Sequence, residues 1–251
     1  MADARPGDLP CERVLYLRCT LHGLDGRSTP LMNEARRREL ARAVLSDYVS
    51  GPAAATEATA RALGKVGDAR AIVLVEGISD QIALETLAVR RGRDLDAEGV
   101  AVLPMGGAHA IRRYLMWLGP NGADVRLAGL CDAGDQGSFQ RGLAEGRLGS
   151  PKTRGDMESL GFYVCVQDLE DELIRSLGAA RVEALFDSQV DLVSFRTLQM
   201  QPDWRDGNLE AQMRRFLGSG ARRKLRYARL LVGSMDLDRV PHPLDALLAE
   251  V

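Results

Sequence analysis

Carboxylates recur in one setting along this chain, directly after an apolar run and just before a helix signal. Val73-Leu74-Val75 ends in Glu76-Gly77, with Asp80 shortly after. Val125–Cys131 ends in Asp132, with Asp135 close behind, and Phe162–Val166 is followed by Asp168, Glu170, Asp171 and Glu172. An ionised carboxylate at the end of a buried run is costly unless something positive pairs with it. Several carboxylates within a few ångströms also repel one another. A hard divalent cation relieves both problems, and Mg²⁺ takes one or two carboxylates together with water and substrate phosphate. Enough carboxylates for two ions would build a clamp for in-line displacement at phosphorus. Glu76 and Asp132 have no competing local task. Asp80 has one, because a carboxylate in a first helical turn favours the dipole without any metal. Asp135 has one too, as a cap for the helix after it. For these two residues the ligand and structural readings both stand. Asp168 with Asp171 reads as a helix-start pair and is left outside the metal site.

The elements that must position these acids alternate from Ala71 onward. Ile72–Val75 reads as a strand buried on both faces, as in parallel sheets, and Ser79 is placed to cap a helix over Asp80–Arg90. Val100–Leu103 leads through Met105-Gly106-Gly107 to a helix over Ala108–Leu118. Val125–Cys131 leads to a helix near Ser138–Gly146, and Phe162–Val166 to one over Leu169–Leu177. Strand and helix alternating four times imply right-handed crossovers and a four-stranded parallel sheet flanked by helices, an α/β Rossmann-like fold. Each strand-to-helix junction then falls on one sheet edge, where such folds take their ligands. Beyond Gly178 only helices are expected, near Ala180–Phe186, Leu209–Leu217, Ala221–Met235 and Leu244–Ala249. Ahead of the sheet, Asn33 is placed to cap a helix over Glu34–Tyr48, and Ala54–Leu63 forms another. The expected division is an N-terminal arm with helices (1–68), the catalytic α/β domain (69–178) and a C-terminal helical cap with a basic segment (179–251).

Composition narrows the function without naming it. The 251 residues are 45% hydrophobic and 27% charged, with a formal net charge of -2. Bulk charge therefore draws the chain to no polyanion, and any such binding needs a local patch. Cys11, Cys19, Cys131 and Cys165 form no C-x-x-C pair and read as small buried hydrophobes in a reducing compartment. No signal peptide is evident, and no apolar run approaches the ~18 residues of a membrane span. A cytoplasmic protein without membrane contact is expected. Gly64-Lys65 mimics a phosphate-binding loop, but Thr59 and Val66 stand where that motif needs glycine and Ser or Thr. His22, His109 and His242 are far apart. His109 follows Gly106-Gly107 at a helix start and reads either as a phosphate contact or as a surface residue.

The acidic motifs resemble the TOPRIM domain of topoisomerases, bacterial primases and OLD-family (overcoming lysogenization defect) nucleases. Glu76-Gly77 is similar to the Glu-Gly segment after that family's first strand, and Asp132 to the first aspartate of its D-x-D pair. Gly134 stands where the second aspartate would be, with the acid displaced to Asp135. The OLD-like branch, with V-E-G-x-[ST]-[DE] segments and an altered second motif, is the better likeness, and Asp80 and Asp135 fit it. The segment Asp168-Leu169-Glu170-Asp171-Glu172-Leu173 resembles a later acidic motif of that branch. The resemblance therefore implies a site for one or two Mg²⁺ or Mn²⁺ ions held by Glu76, Asp80, Asp132, Asp135 and Glu170. It also implies an endonuclease activity on DNA. OLD proteins usually join this module to an ABC-type ATPase. No such motif occurs in these residues, so the resemblance implies a separate ATPase subunit as a partner.

Arg214 to Arg229 is a basic stretch without an acid. A helix from Ala221 would bury Leu225, Ala228, Leu231 and Met235, and Lys224 borders that stripe, within reach of the acidic edge. Lys224-Leu225-Arg226-Tyr227-Ala228 resembles a late K-x-x-[YF]-A segment of OLD-like proteins, which implies a catalytic lysine. A solvated basic face is the competing reading. Arg222, Arg223 and Arg226 are the candidates for gripping phosphate without reading sequence. The leading expectation is a metal-dependent phosphodiester hydrolase with Glu76, Asp132 and Lys224 as catalytic residues. The alternatives are a non-catalytic subunit binding nucleic acid or an ATPase, and a small-molecule phosphotransferase.

Overall fold

A computed structural model describes residues 54–251. The helix expected over Glu34–Tyr48, together with Cys11, Cys19 and His22, lies outside them. The sheet has four strands, all parallel: β1 (Ala71–Val75), β2 (Val100–Pro104), β3 (Arg126–Cys131) and β4 (Phe162–Val164), in the order β2-β1-β3-β4. Ala71 sits opposite both Val100 and Arg126, and Gly129 opposite Phe162. The expected four-stranded parallel α/β fold is the one found.

Strand residues alternate between two apolar layers, which is why these runs are apolar throughout. Ile72, Leu74, Leu103, Cys131 and Phe162 face one layer. Helices α1 (Ala54–Lys65), α3 (Ile111–Leu118), α4 (Gln136–Glu145) and the single turn α5 (Arg154–Glu158) cover it. Val73, Val75, Val102, Leu130 and Cys165 face the other layer. There α2 (Ile78–Arg90), α6 (Leu169–Leu177) and the C-terminal helices gather. Those are α7 (Ala179–Ser188), α8 (Leu192–Gln199), α9 (Leu209–Leu217), α10 (Ala221–Ser234) and α11 (His242–Glu250). Cys131 and Cys165 are free, buried and on opposite layers.

Three local expectations differ from the structure. Helix α2 starts at Ile78 with Gly77 as its cap. Asp80 Oδ2 accepts the Gly77 N–H at 2.9 Å, so the carboxylate rather than Ser79 satisfies the opening turn. Strand β4 stops at Val164, because the Val166 N–H turns to Glu172 Oε1 at 2.7 Å instead of continuing the ladder. Helices α5 and α8 were not expected. The first is a single polar turn closed by a Thr153–Asp156 capping box, and the second buries only Phe195 and Leu198, too short a stripe to read as periodic.

Helix α10 packs along α2 in the same direction. Arg90, ending α2, donates to Val232 O at 2.7 Å and Met235 O at 2.5 Å at the far end of α10, while the starts of both helices meet at the carboxyl edge of the sheet. Behind them, Phe186, Phe195, Phe216 and Tyr227 form an aromatic core with centroid separations of 5.0 to 5.3 Å. Tyr227 Oη donates to Asp191 Oδ2 at 2.9 Å, and the same carboxylate pairs with Arg226 and, at 3.8 Å, with Arg223. Asp191→Ala should therefore lower stability by about 2 kcal/mol, because it leaves the buried Tyr227 hydroxyl without its acceptor and removes the carboxylate that Arg226 and Arg223 share. A urea unfolding midpoint equal to that of the unmodified chain would show that this network holds nothing.

Candidate functional site

Strands β1 and β3 are neighbours, with β2 outside one and β4 outside the other, so the strand order reverses between them. The crevice beyond their carboxyl ends is where open α/β sheets bind ligands. Glu76 follows β1 directly and Asp132 follows β3 directly. Glu76 Oε1 accepts the Asp132 backbone N–H at 2.8 Å, which ties the two strand exits together. Asp135 is the first residue before α4, yet its side chain makes no capping bond; it lies within hydrogen-bonding reach of Glu76. Asp80, 8% exposed, approaches from the first turn of α2. Over this corner the β2 exit folds through Gly106 (φ +77°) and Gly107 (φ +120°), conformations that side chains rarely adopt. The Gly107 N–H donates to Glu76 O at 2.9 Å. His109 stands exposed beyond that turn.

The charges disturb one another as a crowded acidic site should. Burial raises the Glu76 carboxyl to about 7; the Asp132 N–H bond opposes this, and the charges of Asp135 and Asp80 add to it. Burial likewise raises Asp132 to about 8, reinforced by Glu76, Asp80 and Asp168 and opposed by Lys224. Asp80 is also raised, chiefly by burial, with Lys224 opposing.

Lys224, in the first turn of α10, reaches this cluster. Its Nζ lies 3.3 Å from Glu170 Oε1, and Glu170 is itself buried at the start of α6. Burial pulls the lysine down, but Glu170, Asp80 and Asp132 outweigh it and the net shift is upward, so the ammonium stays charged. Asp168 caps α6, accepting the Asp171 N–H at 2.9 Å, and is paired with Arg214 at 2.5 Å. The basic segment divides. Arg223 and Arg226 are committed to Asp191, and Arg223 also covers the Phe216 ring at 4.0 Å. Arg222 is exposed, with no side-chain partner among the described residues.

The chain is similar to known proteins in one region of sequence and over a larger span of fold. The family profile described as overcoming lysogenization defect protein-like, TOPRIM domain, matches residues 69–133. That span begins just before β1 and ends just past Asp132, so it holds both strand exits of the crevice. Residues 69–133 are an OLD-like TOPRIM domain. The C-terminal region of the Xanthomonas campestris pv. campestris OLD protein superposes with a TM-score of 0.58 at 21% identity, over 75% of this chain and 94% of that one. The C-terminal region of the Burkholderia pseudomallei OLD protein gives 0.53 at 20% identity, over 72% and 96%. These likenesses are of fold. No curated protein matches the chain.

A TOPRIM domain implies a divalent-metal site in general terms. The carboxylate oxygens at the crevice suit a hard cation, and Glu76 and Asp132 are raised first by burial and further by the neighbouring acids. Among the described residues, however, no three His, Cys, Asp or Glu side chains converge tightly enough to hold an ion as they stand. One oxygen each of Glu76, Asp80 and Glu170 is taken by Asp132 N–H, Gly77 N–H and Lys224 respectively. The structure thus brings Glu76, Asp80, Asp132 and Asp135 together, and sets Glu170 behind Lys224. Sequence reasoning missed Arg154, whose Nε donates to Gln136 Oε1 at 3.4 Å beside Asp135. No local pattern marks it, since only the packing of α5 on the sheet brings it there. No helix among the described residues is long and apolar enough to cross a membrane.

Proposed function

We propose that this chain is a metal-dependent phosphodiester hydrolase acting on DNA, with its active site in the crevice between β1 and β3. One observation carries the reading: four carboxylates and a charged lysine meet at the point of strand reversal in an OLD-like TOPRIM domain, a domain that implies a nuclease role. Glu76, Asp132 and Asp135 would hold one or two Mg²⁺ or Mn²⁺ ions, with Asp80 beside them, once their side chains turn toward the cation. When bound, such an ion supplies Lewis-acid stabilisation of a phosphoryl oxygen and a more acidic water. Glu76 and Asp132 release their protons to receive it, so cation affinity rises with pH. The Lys224 ammonium, held by Glu170, faces the cluster and is placed to donate to a scissile phosphate as charge builds there. Arg222, unpaired two residues earlier on α10, would contact a phosphate that does not react.

The deciding experiment incubates supercoiled plasmid with Mg²⁺, Mn²⁺ or EDTA. Nicking or linearisation with either ion, absent in EDTA, is the expected result; an intact plasmid under every condition would refute autonomous hydrolysis. A second reading, a non-catalytic subunit that binds nucleic acid or a separate ATPase, is favoured by Gly134 at the position of the second family aspartate. DNA or ATPase binding without cleavage is its signature.

A further inference from the structure

We infer that Arg141, Lys152 and Arg154 form a second phosphate-gripping surface, on the Asp135 side of the acidic crevice, for the backbone of duplex DNA. The inference rests on the proposed action on DNA and adds where the strand lies. Arg223 and Arg226 share the Asp191 carboxylate, so Arg222 is the exposed α10 arginine without a partner among the described residues. Elsewhere many cations are neutralised as well: Arg112 by Glu145, Arg126 by Glu250, Arg175 by Asp171 and Glu172.

The three residues named are different. None has a carboxylate partner among the described residues, although the acidic crevice is adjacent. Arg154 Nε donates to Gln136 Oε1 at 3.4 Å, and Gln136 directly follows Asp135. Arg141 bends back along α4, with Nη2 donating to Ser138 Oγ at 3.3 Å and Nη1 lying 3.4 Å from where a Gly137 side chain would begin. Both guanidinium groups therefore lie over the first turn of α4. The backbone of Lys152 is fixed beside the same helix, its carbonyl accepting from Gln140 Nε2 at 3.0 Å, which leaves the lysine side chain free to extend along this surface. The loop carrying Lys152 and Arg154 is rigidly set. Asp156 Oδ2 accepts the Lys152 and Thr153 N–H groups at 2.9 Å each, and the Asp156 N–H donates to Thr153 Oγ1 at 3.1 Å. Asp156, the acid of this loop, is thus used on backbone donors, and the cations remain available. A backbone crossing the crevice would meet these charges on the Asp135 side and Arg222 on the α10 side.

The test measures binding of a labelled DNA duplex in EDTA by anisotropy across a salt series. The Arg141→Ala/Lys152→Ala/Arg154→Ala variant should flatten the log–log salt slope by about 2.7 if all three touch phosphate. Arg154→Glu alone should weaken binding and, by the same rule, flatten the slope by about 1, should the triple variant not fold. Arg126→Ala removes a cation from the opposite end of β3 and should leave the slope unchanged. An unchanged slope in the triple variant, or an equal flattening by Arg126→Ala, overturns this surface while leaving plasmid cleavage by the unmodified chain intact. Failure of the unmodified chain to bind DNA at low salt overturns both readings together.

Discussion

Asp132→Ala should reduce divalent-ion-dependent plasmid cleavage by about a thousandfold or more, because the electrostatic stabilisation a bound cation supplies is worth several kcal/mol and each ~1.4 kcal/mol is a factor of ten. Unchanged nicking by the purified variant would remove Asp132 from catalysis. The same residue predicts an opposite effect on the metal-free fold. Its carboxyl is raised to about 8 in the folded chain, against about 3.9 when unfolded. Between those values the folded state keeps a proton that the unfolded state has lost. Metal-free stability therefore falls as pH rises through that window, and the penalty is complete above the folded value. Asp132→Asn removes the penalty. Its melting temperature without metal should exceed that of the unmodified chain clearly at about pH 8.5 and much less at about pH 5. Adding Mg²⁺ or Mn²⁺ should raise the unmodified chain at the higher pH and close the gap, since a ligand bound only by the folded state stabilises it by mass action. If instead the Asn variant melts lower at high pH without metal, Asp132 is a structural acid.

Much of this was readable before any coordinates. The β1 run is apolar at every position, and β3 at every position after the exposed Arg126, because helices cover both faces; that continuity marks a parallel sheet, so the convergence of Glu76 and Asp132 follows from topology alone. Lys224 was placed beside an expected stripe through Leu225; the structure instead buries Tyr227, Ala228, Leu231 and Val232 and leaves Leu225 half-buried, yet the helix does carry Lys224 to the acids. What sequence concealed were choices between partners. Asp80 serves its own helix cap and still faces the cluster, so the two readings of it were never exclusive. Asp135 precedes α4 like a cap but makes no capping bond, because the 3-10 turn Ala133–Asp135 runs directly into the helix and its own backbone is helical (φ -104°, ψ 0°). Glu170 was expected as a metal ligand, and the sequence did not show that Lys224 Nζ lies 3.3 Å from it. Arg223 and Arg226 look like solvated basic residues in sequence. Their acid, Asp191, lies more than thirty positions away on another helix, and only packing of the aromatic core reveals it. Gly134 is open, with nothing within 4 Å of where a side chain would begin. Steric need does not explain the glycine.

Lys224→Ala should slow cleavage at saturating DNA by about a hundredfold or more, the usual cost of removing one preorganised donor to a developing charge, while changing DNA affinity little. Arg222→Ala should do the reverse, leaving the saturated rate alone and flattening the salt slope by about 0.9 on duplex DNA. A structural role for Lys224 predicts something different. If the ammonium only neutralises buried Glu170, its loss strands a carboxylate in the interior, and the damage is to the fold around α6 and α10. Lys224→Ala combined with Glu170→Gln separates the two roles. The double variant has no stranded charge, so its melting temperature should recover most of what Lys224→Ala loses. Its single-turnover rate should not recover, because the donor aimed at the phosphate is still missing. Glu170→Gln alone reports whether the glutamate matters in its own right: a lysine freed of its partner but still charged should keep most of the rate unless Glu170 also holds a cation. If the double variant cleaves like the unmodified chain, Lys224 is a counter-ion for Glu170 and nothing more, and stabilisation of the reacting phosphate must then come from the cation site alone.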